Sequence, residues 1–263
     1  GRRCENPNTD RYGEPTWHFL RTTSRTPTLA SRQWLRDGKY EALENHGARL
    51  FDRPVDAWVK HAAGDYRQPV IGRFTLQHDL DIRFEVGDIF FAPGHDDACI
   101  LGWRSPVSGT LEIEGSFQHA QKERNDNRGI QWYIERGPAP DPVNGFTPVE
   151  LSTGDSRCGT ASENNTFHVT DQTVHPGDFI YFIVDAWADG TEQPHTGDFT
   201  RLRLELTVQD VSLPTTPHFE RDVLPILVRR CHDCHGADSQ EGDLDLRTVE
   251  SMFRGGKNGH AIV

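Results

Sequence analysis

The chain has 263 residues, with 28 Lys plus Arg against 40 Asp plus Glu, a formal net charge of −12 at pH 7 and a pI of about 5.5. That balance excludes the basic surface of a nucleic-acid binder, and no run approaches the roughly 18 consecutive apolar residues of a membrane-spanning helix. With 35% hydrophobic residues, six Trp and fourteen Phe, the mean hydropathy of −0.67 reflects a charged surface over a real core, and the length favours two domains over one.

Residues 1–68 mix Pro and charge with short apolar clusters, among them Trp17-His18-Phe19-Leu20 and Trp34-Leu35. One or two short helices are expected there. Val55, Trp58, Val59 and Ala62 fall at i, i+3, i+4 and i+7, which is helical spacing. Gly1-Arg2-Arg3-Cys4 carries neither a signal h-region nor the small apolar residues that precede a lipidated cysteine, so a mature soluble chain is expected.

From residue 69 to 211 the pattern changes to alternation punctuated by Gly, Pro and Asp, which predicts an antiparallel β-sandwich of jelly-roll type. Leu111 to Gly115, Ile130 to Ile134 and Leu202 to Val208 alternate with period two, the mark of strands with one buried face. Phe179 to Asp185 is apolar on both faces, as a central strand would be. Turn signals stand at Pro93-Gly94, Ser108-Gly109 and Pro176-Gly177-Asp178. Residues 212–217 read as a linker, with Thr216 placed to cap a helix and Pro217 at its first position. In residues 218–263, Phe219, Val223, Ile226 and Leu227 form one helical stripe leading to Cys231, which Pro225 should bend or interrupt.

Cys231-His232-Asp233-Cys234-His235 is a C-x-x-C-H motif. Two thiols at that spacing form thioethers with the haem vinyl groups, and the adjacent imidazole reaches the iron as proximal ligand. A zinc site would want a second Cys/His pair, and the module offers only His260; a thioredoxin-like redox pair would want a βαβ context, which is missing. The pattern therefore predicts covalent haem c on Cys231 and Cys234, with His235 on the iron.

Phe219 to Leu227, followed by Cys231-His232-Asp233-Cys234-His235-Gly236, Gly242-Asp243-Leu244-Asp245-Leu246-Arg247 and Gly255-Gly256-Lys257-Asn258-Gly259-His260, resembles the planctomycete-type cytochrome c domain. The β region, through Gly102-Trp103-Arg104-Ser105-Pro106-Val107-Ser108-Gly109-Thr110, Pro176-Gly177-Asp178 and Asp198-Phe199-Thr200-Arg201-Leu202, is similar to the sandwich that accompanies such domains in very large planctomycete proteins. The fold so implied is mainly β, an antiparallel sandwich followed by a small helical cytochrome c module that reads as truncated. The family continues to a distal methionine beyond the Gly-Gly segment, whereas Met252, the single methionine here, sits in a short helical stretch and is expected to pack in a core. His260, in a loop, is the alternative distal ligand.

The other cysteines are Cys4, Cys99 and Cys158. In an oxidising compartment Cys99 can pair with Cys158, Cys4 can pair with either, and one thiol is left over. Asp185, Asp189 and Asp198 flank the last loop of the sandwich and read first as turn-forming aspartates, second as an oxygen set for calcium. Trp132, Tyr133 and Trp187 are candidates for stacking on sugar rings, although alternation puts some of them in the core. No nucleophile elbow, phosphate loop or carboxylate pair is present, so an enzymatic role is not expected. The leading expectation is an exported, periplasmic or cell-surface haem protein for electron transfer or redox sensing, whose sandwich docks it to a redox partner protein or a glycan. The competing one is a carbohydrate- or protein-binding assembly module, or a fragment of a larger periplasmic polysaccharide-processing protein.

Overall fold

The structure, a computed structural model, describes residues 14–22, 37–50, 53–60, 68–75, 84–94, 97–120, 129–157, 165–186, 198–212, 219 and 223–261. Thirteen strands follow in chain order: β1 (Trp17–Thr22), β2 (Tyr40–Ala42), β3 (Asn45–Leu50), β4 (Arg53–Val59), β5 (Val70–Arg73), β6 (Ile89–Ala92), β7 (Cys99–Arg104), β8 (Ser108–His119), β9 (Gly129–Gly137), β10 (Val149–Arg157), β11 (Thr166–Val174), β12 (Phe179–Asp185) and β13 (Thr200–Ser212). Three short helices come after them, α1 (Leu224–Arg230), α2 (His232–His235) and α3 (Val249–Arg254), with a 3-10 turn over Glu241–Asp243. The chain divides into two compact units, the first holding Pro15–Ser212 and the second Leu213–Val263.

The first unit is a two-sheet antiparallel sandwich. Its six-stranded sheet runs β10-β9-β12-β7-β1-β2 and its seven-stranded sheet β11-β8-β13-β6-β5-β4-β3. Between them lies the main core, filled by Leu101 and Trp103 of β7, Ile113 and Phe117 of β8, Ile130, Trp132 and Ile134 of β9, Ile180 and Phe182 of β12, and Phe91 and Leu202 of the facing strands. Successive side chains of a strand leave on opposite faces, so the neighbours of these residues belong elsewhere. Phe90, Val70, Val55, Ala57 and Val59 form a cluster with Phe74, Phe84 and Phe199 on the outer face of the larger sheet. Ile100, Tyr133, Tyr181 and Ile183 join Leu20, Tyr40 and Phe179 on the outer face of the smaller one, with Phe146 packed against them.

These outer layers explain both a success and an error of sequence reading. β12 is buried at every position, as its two-faced apolar run requires of a central strand, and it lies between β9 and β7. β13 alternates intermediate or buried with exposed positions from Leu202 to Gln209, because its outer face meets water. The helical reading of Val55 to Ala62 is corrected: Val55 and Val59 lie in strand β4, with Ala57 between them on the same face. Trp58 points the other way and packs against the inter-sheet core. Apolar residues on both faces of a strand imitate helical spacing over four residues, and Ala62 lies outside the described residues. β1 to β4 are thus strands of the two sheets in the region where short helices were expected.

Cys99 is also corrected. It is a free thiol, fully buried on β7, and its Sγ donates to the Val70 carbonyl at 3.3 Å. Its side chain belongs to the inter-sheet core, and Cys4 and Cys158 lie outside the described residues. Burial pushes the Cys99 thiol, and the Tyr181 hydroxyl, far up from their ordinary values. Tyr40 is shifted the same way by burial first, then by the charge of Glu135, whose buried carboxylate accepts from the Tyr40 hydroxyl at 3.0 Å.

Candidate functional site

The motif residues of the second unit are arranged by short-range backbone bonds. α1 begins at Leu224 with Pro225 in its first turn, where the missing N–H costs nothing, so Pro225 starts this helix instead of bending it. The Cys231 amide closes α1 on the Leu227 carbonyl at 2.8 Å. The Cys231 carbonyl then accepts from both the Cys234 amide at 3.2 Å and the His235 amide at 2.8 Å, winding the C-x-x-C-H residues into the single turn of α2. That winding brings the two thiols and the last imidazole of the motif onto one compact turn.

Gly236 ends the turn. A Cβ built there would lie 2.3 Å from the His232 carbonyl oxygen and 3.1 Å from the His232 Cβ, so no larger residue fits without opening the turn. The chain returns through residues 242–247, where the Leu246 amide donates to the His235 carbonyl at 2.9 Å and the Leu246 carbonyl accepts from His232 Nε2 at 3.0 Å. Asp245 and Arg247 lock this loop: Arg247 donates to the Asp245 carboxylate from its amide, Nε and Nη2, and those bonds hold the carboxyl down at about 2.

The Gly-Gly segment completes the lattice. α3 is started by a capping box, in which the Ser251 amide donates to Thr248 Oγ1 at 3.1 Å and the Thr248 amide to Ser251 Oγ at 3.2 Å. It ends at Gly255, whose φ of 77° and near contact with the Gly259 carbonyl oxygen, 2.1 Å from a built Cβ, both demand glycine. The Lys257 amide donates to the Gly242 carbonyl at 2.7 Å, so the Gly-Asp-Leu-Asp-Leu loop lies between the attachment turn and the Gly-Gly turn and bonds to both. Met252 is buried on α3, as core packing requires.

The donor set fits covalent haem. Cys231 is half-buried, Cys234 exposed, and both thiols are free for thioether formation. The His235 ring has no hydrogen-bond partner among the described residues, and its Nδ1 is a buried orphan. No hydrogen bond to a described residue occupies the other ring nitrogen, Nε2, so that atom is open to a ligand. The exposed His260 ring sits by the Phe253 carbonyl, to which Nδ1 donates, so its lone pair lies on Nε2.

Residues 231–263 match the planctomycete cytochrome C family. The match begins on the first attachment cysteine and spans all three signatures just described. No curated protein matches the chain. Among solved structures, TmCBM61 in complex with β-1,4-galactotriose is 9% identical with a TM-score of 0.26, over 55% of this chain and 74% of that one. A Podospora anserina GH26-CBM35 β-(1,4)-mannanase is 11% identical at a TM-score of 0.28, over 57% of this chain and 27% of that one. The enzymatically active domain of a Bacteriophage CBA120 tailspike protein is 10% identical at 0.27, over 73% of this chain and 19% of that one. Scores this low assign no shared fold, and the sandwich is read from its own strands and sheets.

The remaining candidates do not assemble. Among the described residues no three His, Cys, Asp or Glu side chains converge as a metal site. Asp198 is buried and faces His119, with Oδ1 3.3 Å from Nε2. Asp185 follows Val184, which points into the inter-sheet core, so strand alternation puts its side chain on the other face, beside Ile183. The calcium set does not assemble among the described residues, since Asp198 turns to His119 while Asp185 lies beside Ile183; Asp189 lies outside the described residues. Trp132 is 1% exposed and Tyr133 9%, so both are core residues and not sugar platforms, and Trp187 is not among those described. Sequence reasoning missed His232 and its partner Leu246. The only signal was a second histidine inside the motif, and a backbone carbonyl leaves no mark on a sequence.

Proposed function

We propose that this chain is an exported c-type haem protein that serves electron transfer or redox sensing. The observation that carries the reading is the attachment turn, where two free thiols and an imidazole without a hydrogen-bond partner meet on one turn inside the segment that matches a cytochrome C family. Cys231 and Cys234 would hold the group by thioethers and His235 Nε2 would bind the iron, and haem c held there supplies one-electron redox chemistry. The chain's own contribution is to fix the turn: the Cys231 carbonyl, the backbone of Leu246 and the Cβ-free Gly236 hold the backbone that carries His235. His260, whose Nδ1 donates to the Phe253 carbonyl, keeps the lone pair on Nε2 and stays the alternative distal ligand.

Thioether attachment points to maturation outside the cytoplasm, in the periplasm or at the cell surface. Among the described residues no helix is long and apolar enough to cross a membrane. The sandwich is the docking part, and a redox partner protein is the occupant this reading expects. The decisive experiment is acid-acetone extraction of the chain produced with c-type maturation, followed by a pyridine haemochrome spectrum. Haem should stay on the polypeptide with the spectrum of two thioether links per iron; extractable haem would sink the proposal. Rapid-mixing reduction with a candidate partner, set beside glycan binding by the same preparation, separates an electron carrier from a carbohydrate-binding module.

A further inference from the structure

We infer that His232 is a positioning residue, which braces the turn that offers His235 as the iron ligand. This inference rests on the haem reading above. The motif holds two histidines, one at each end of the one-turn helix α2, and either could be a ligand by residue type alone. The structure treats them differently. His232 Nε2 faces the Leu246 carbonyl at 3.0 Å, while the His235 ring has no hydrogen-bond partner among the described residues. A ring nitrogen that faces a carbonyl must carry the proton, so the neutral His232 ring is held in the Nε2–H tautomer, with Nε2 committed to the Leu246 carbonyl and the lone pair on Nδ1.

The same bond is half of a two-point clamp. Leu246 receives from the first residue of α2 through its carbonyl and donates to the last through its amide, at 2.9 Å on the His235 carbonyl. Two bonds from one residue to both ends of a four-residue turn restrict its pivoting to the single axis through both contacts. Removing the His232 bond leaves one, and the turn that carries His235 can then rotate about it. Ligand orientation by partners outside the metal's own ligand set is a general device of metal sites. Here the partner acts on the ligand's backbone, since the His235 Nδ1 has no acceptor of its own.

The test uses the full chain with its covalent haem, as wild type, His232→Ala and His232→Gln, with nitric oxide added to the ferrous protein. Nitric oxide weakens the bond on the opposite side of the iron, so the ratio of five- to six-coordinate nitrosyl species reports how firmly His235 is held. Gln places an amide N–H at a reach close to that of Nε2 and is a poor iron ligand. The ratio should rise about fivefold in His232→Ala, the equivalent of one lost hydrogen bond of about 1 kcal/mol, and return to within about twofold of wild type in His232→Gln. An unchanged ratio in the Ala variant overturns the inference, as does a Gln variant that behaves like Ala. If His232→Ala fails to mature while His232→Gln matures normally, the rescue supports the clamp; if neither matures, the imidazole is needed as such and the inference fails. Loss of iron ligation in His232→Ala but not in His235→Ala would reverse the assignment. Wild-type chain without covalent haem defeats the underlying haem reading, and that result is seen before any variant is made.

Discussion

Gly236 shows how a single atom decides whether the attachment turn can form. Its absent Cβ leaves room for the His232 carbonyl, which a methyl group would meet at 2.3 Å. The neighbour is backbone, so it cannot swing aside, and Gly236→Ala must open the turn that carries both thiols and the imidazole. Covalent haem per polypeptide, read from the haemochrome spectrum, should fall severalfold while the far-ultraviolet signal of the strands stays unchanged. Buried protonated groups set a second expectation at this scale. Burial holds Cys99, Tyr40 and Tyr181 in their neutral forms above their ordinary titration range. The folded state then keeps protons that the unfolded state would release, so this stability is fully present below the unfolded values and is lost as pH rises past them. The urea midpoint should decline above about pH 8.5 as unfolded thiol titrates, and more steeply above about pH 10 as the two tyrosines join, by about 1.4 kcal/mol per pH unit for each group. Cys99→Ala should remove the first limb and leave the second, and a midpoint flat from pH 8 to 11 would refute the account.

At the scale of elements, β12 and β13 make opposite predictions from similar-looking apolar runs. β12 is covered on both faces, with Phe182 in the inter-sheet core and Ile183 in the outer cluster. Ile183→Lys should therefore be about as damaging as Phe182→Lys, because either buries an unpaired charge, at a cost of about 3 to 5 kcal/mol or loss of folding. Glu205→Lys on the exposed face of β13 should stay within about 0.5 kcal/mol of wild type by chemical denaturation. α3 offers a milder case. Thr248→Ala deletes the capping box and should cost about 1 kcal/mol, expressed as faster exchange of the Ser251 and Met252 amides.

For the whole molecule, the two compact units give separable outcomes. The sandwich draws its stability from three apolar clusters built of residues from Leu20 to Leu202, none of which belongs to the second unit. Replacing both Cys231 and Cys234 by Ala should abolish covalent haem and leave the sandwich's thermal transition in place. A single joint loss of both signals would show that the units do not fold independently.

What the sequence by itself determined is whatever was contiguous along the chain. C-x-x-C-H is legible because the two thiols and the imidazole that a c-type haem would need stand within five consecutive residues, so the motif is read without knowledge of the fold. β8 and β13 were legible because period-two burial is written into neighbouring residues, and β12 because a run apolar on both faces marks a central strand. The tertiary structure decided what depends on a partner distant in sequence. β4 is a strand because β3 and β5 flank it and a phenylalanine layer covers its outer face, and no window of seven residues contains that information. Asp185 and Asp198 looked like one site on one loop, yet Asp198 turns to His119 while Asp185 lies beside Ile183 on the outer face of the smaller sheet. Trp132 and Cys99 looked available until the second sheet closed over them. His232 looked like filler between two cysteines until a carbonyl fourteen residues away tied down its ring. Covalent chemistry needs only the right atoms in order, whereas burial and hydrogen bonding are made between segments that only the folded chain brings together.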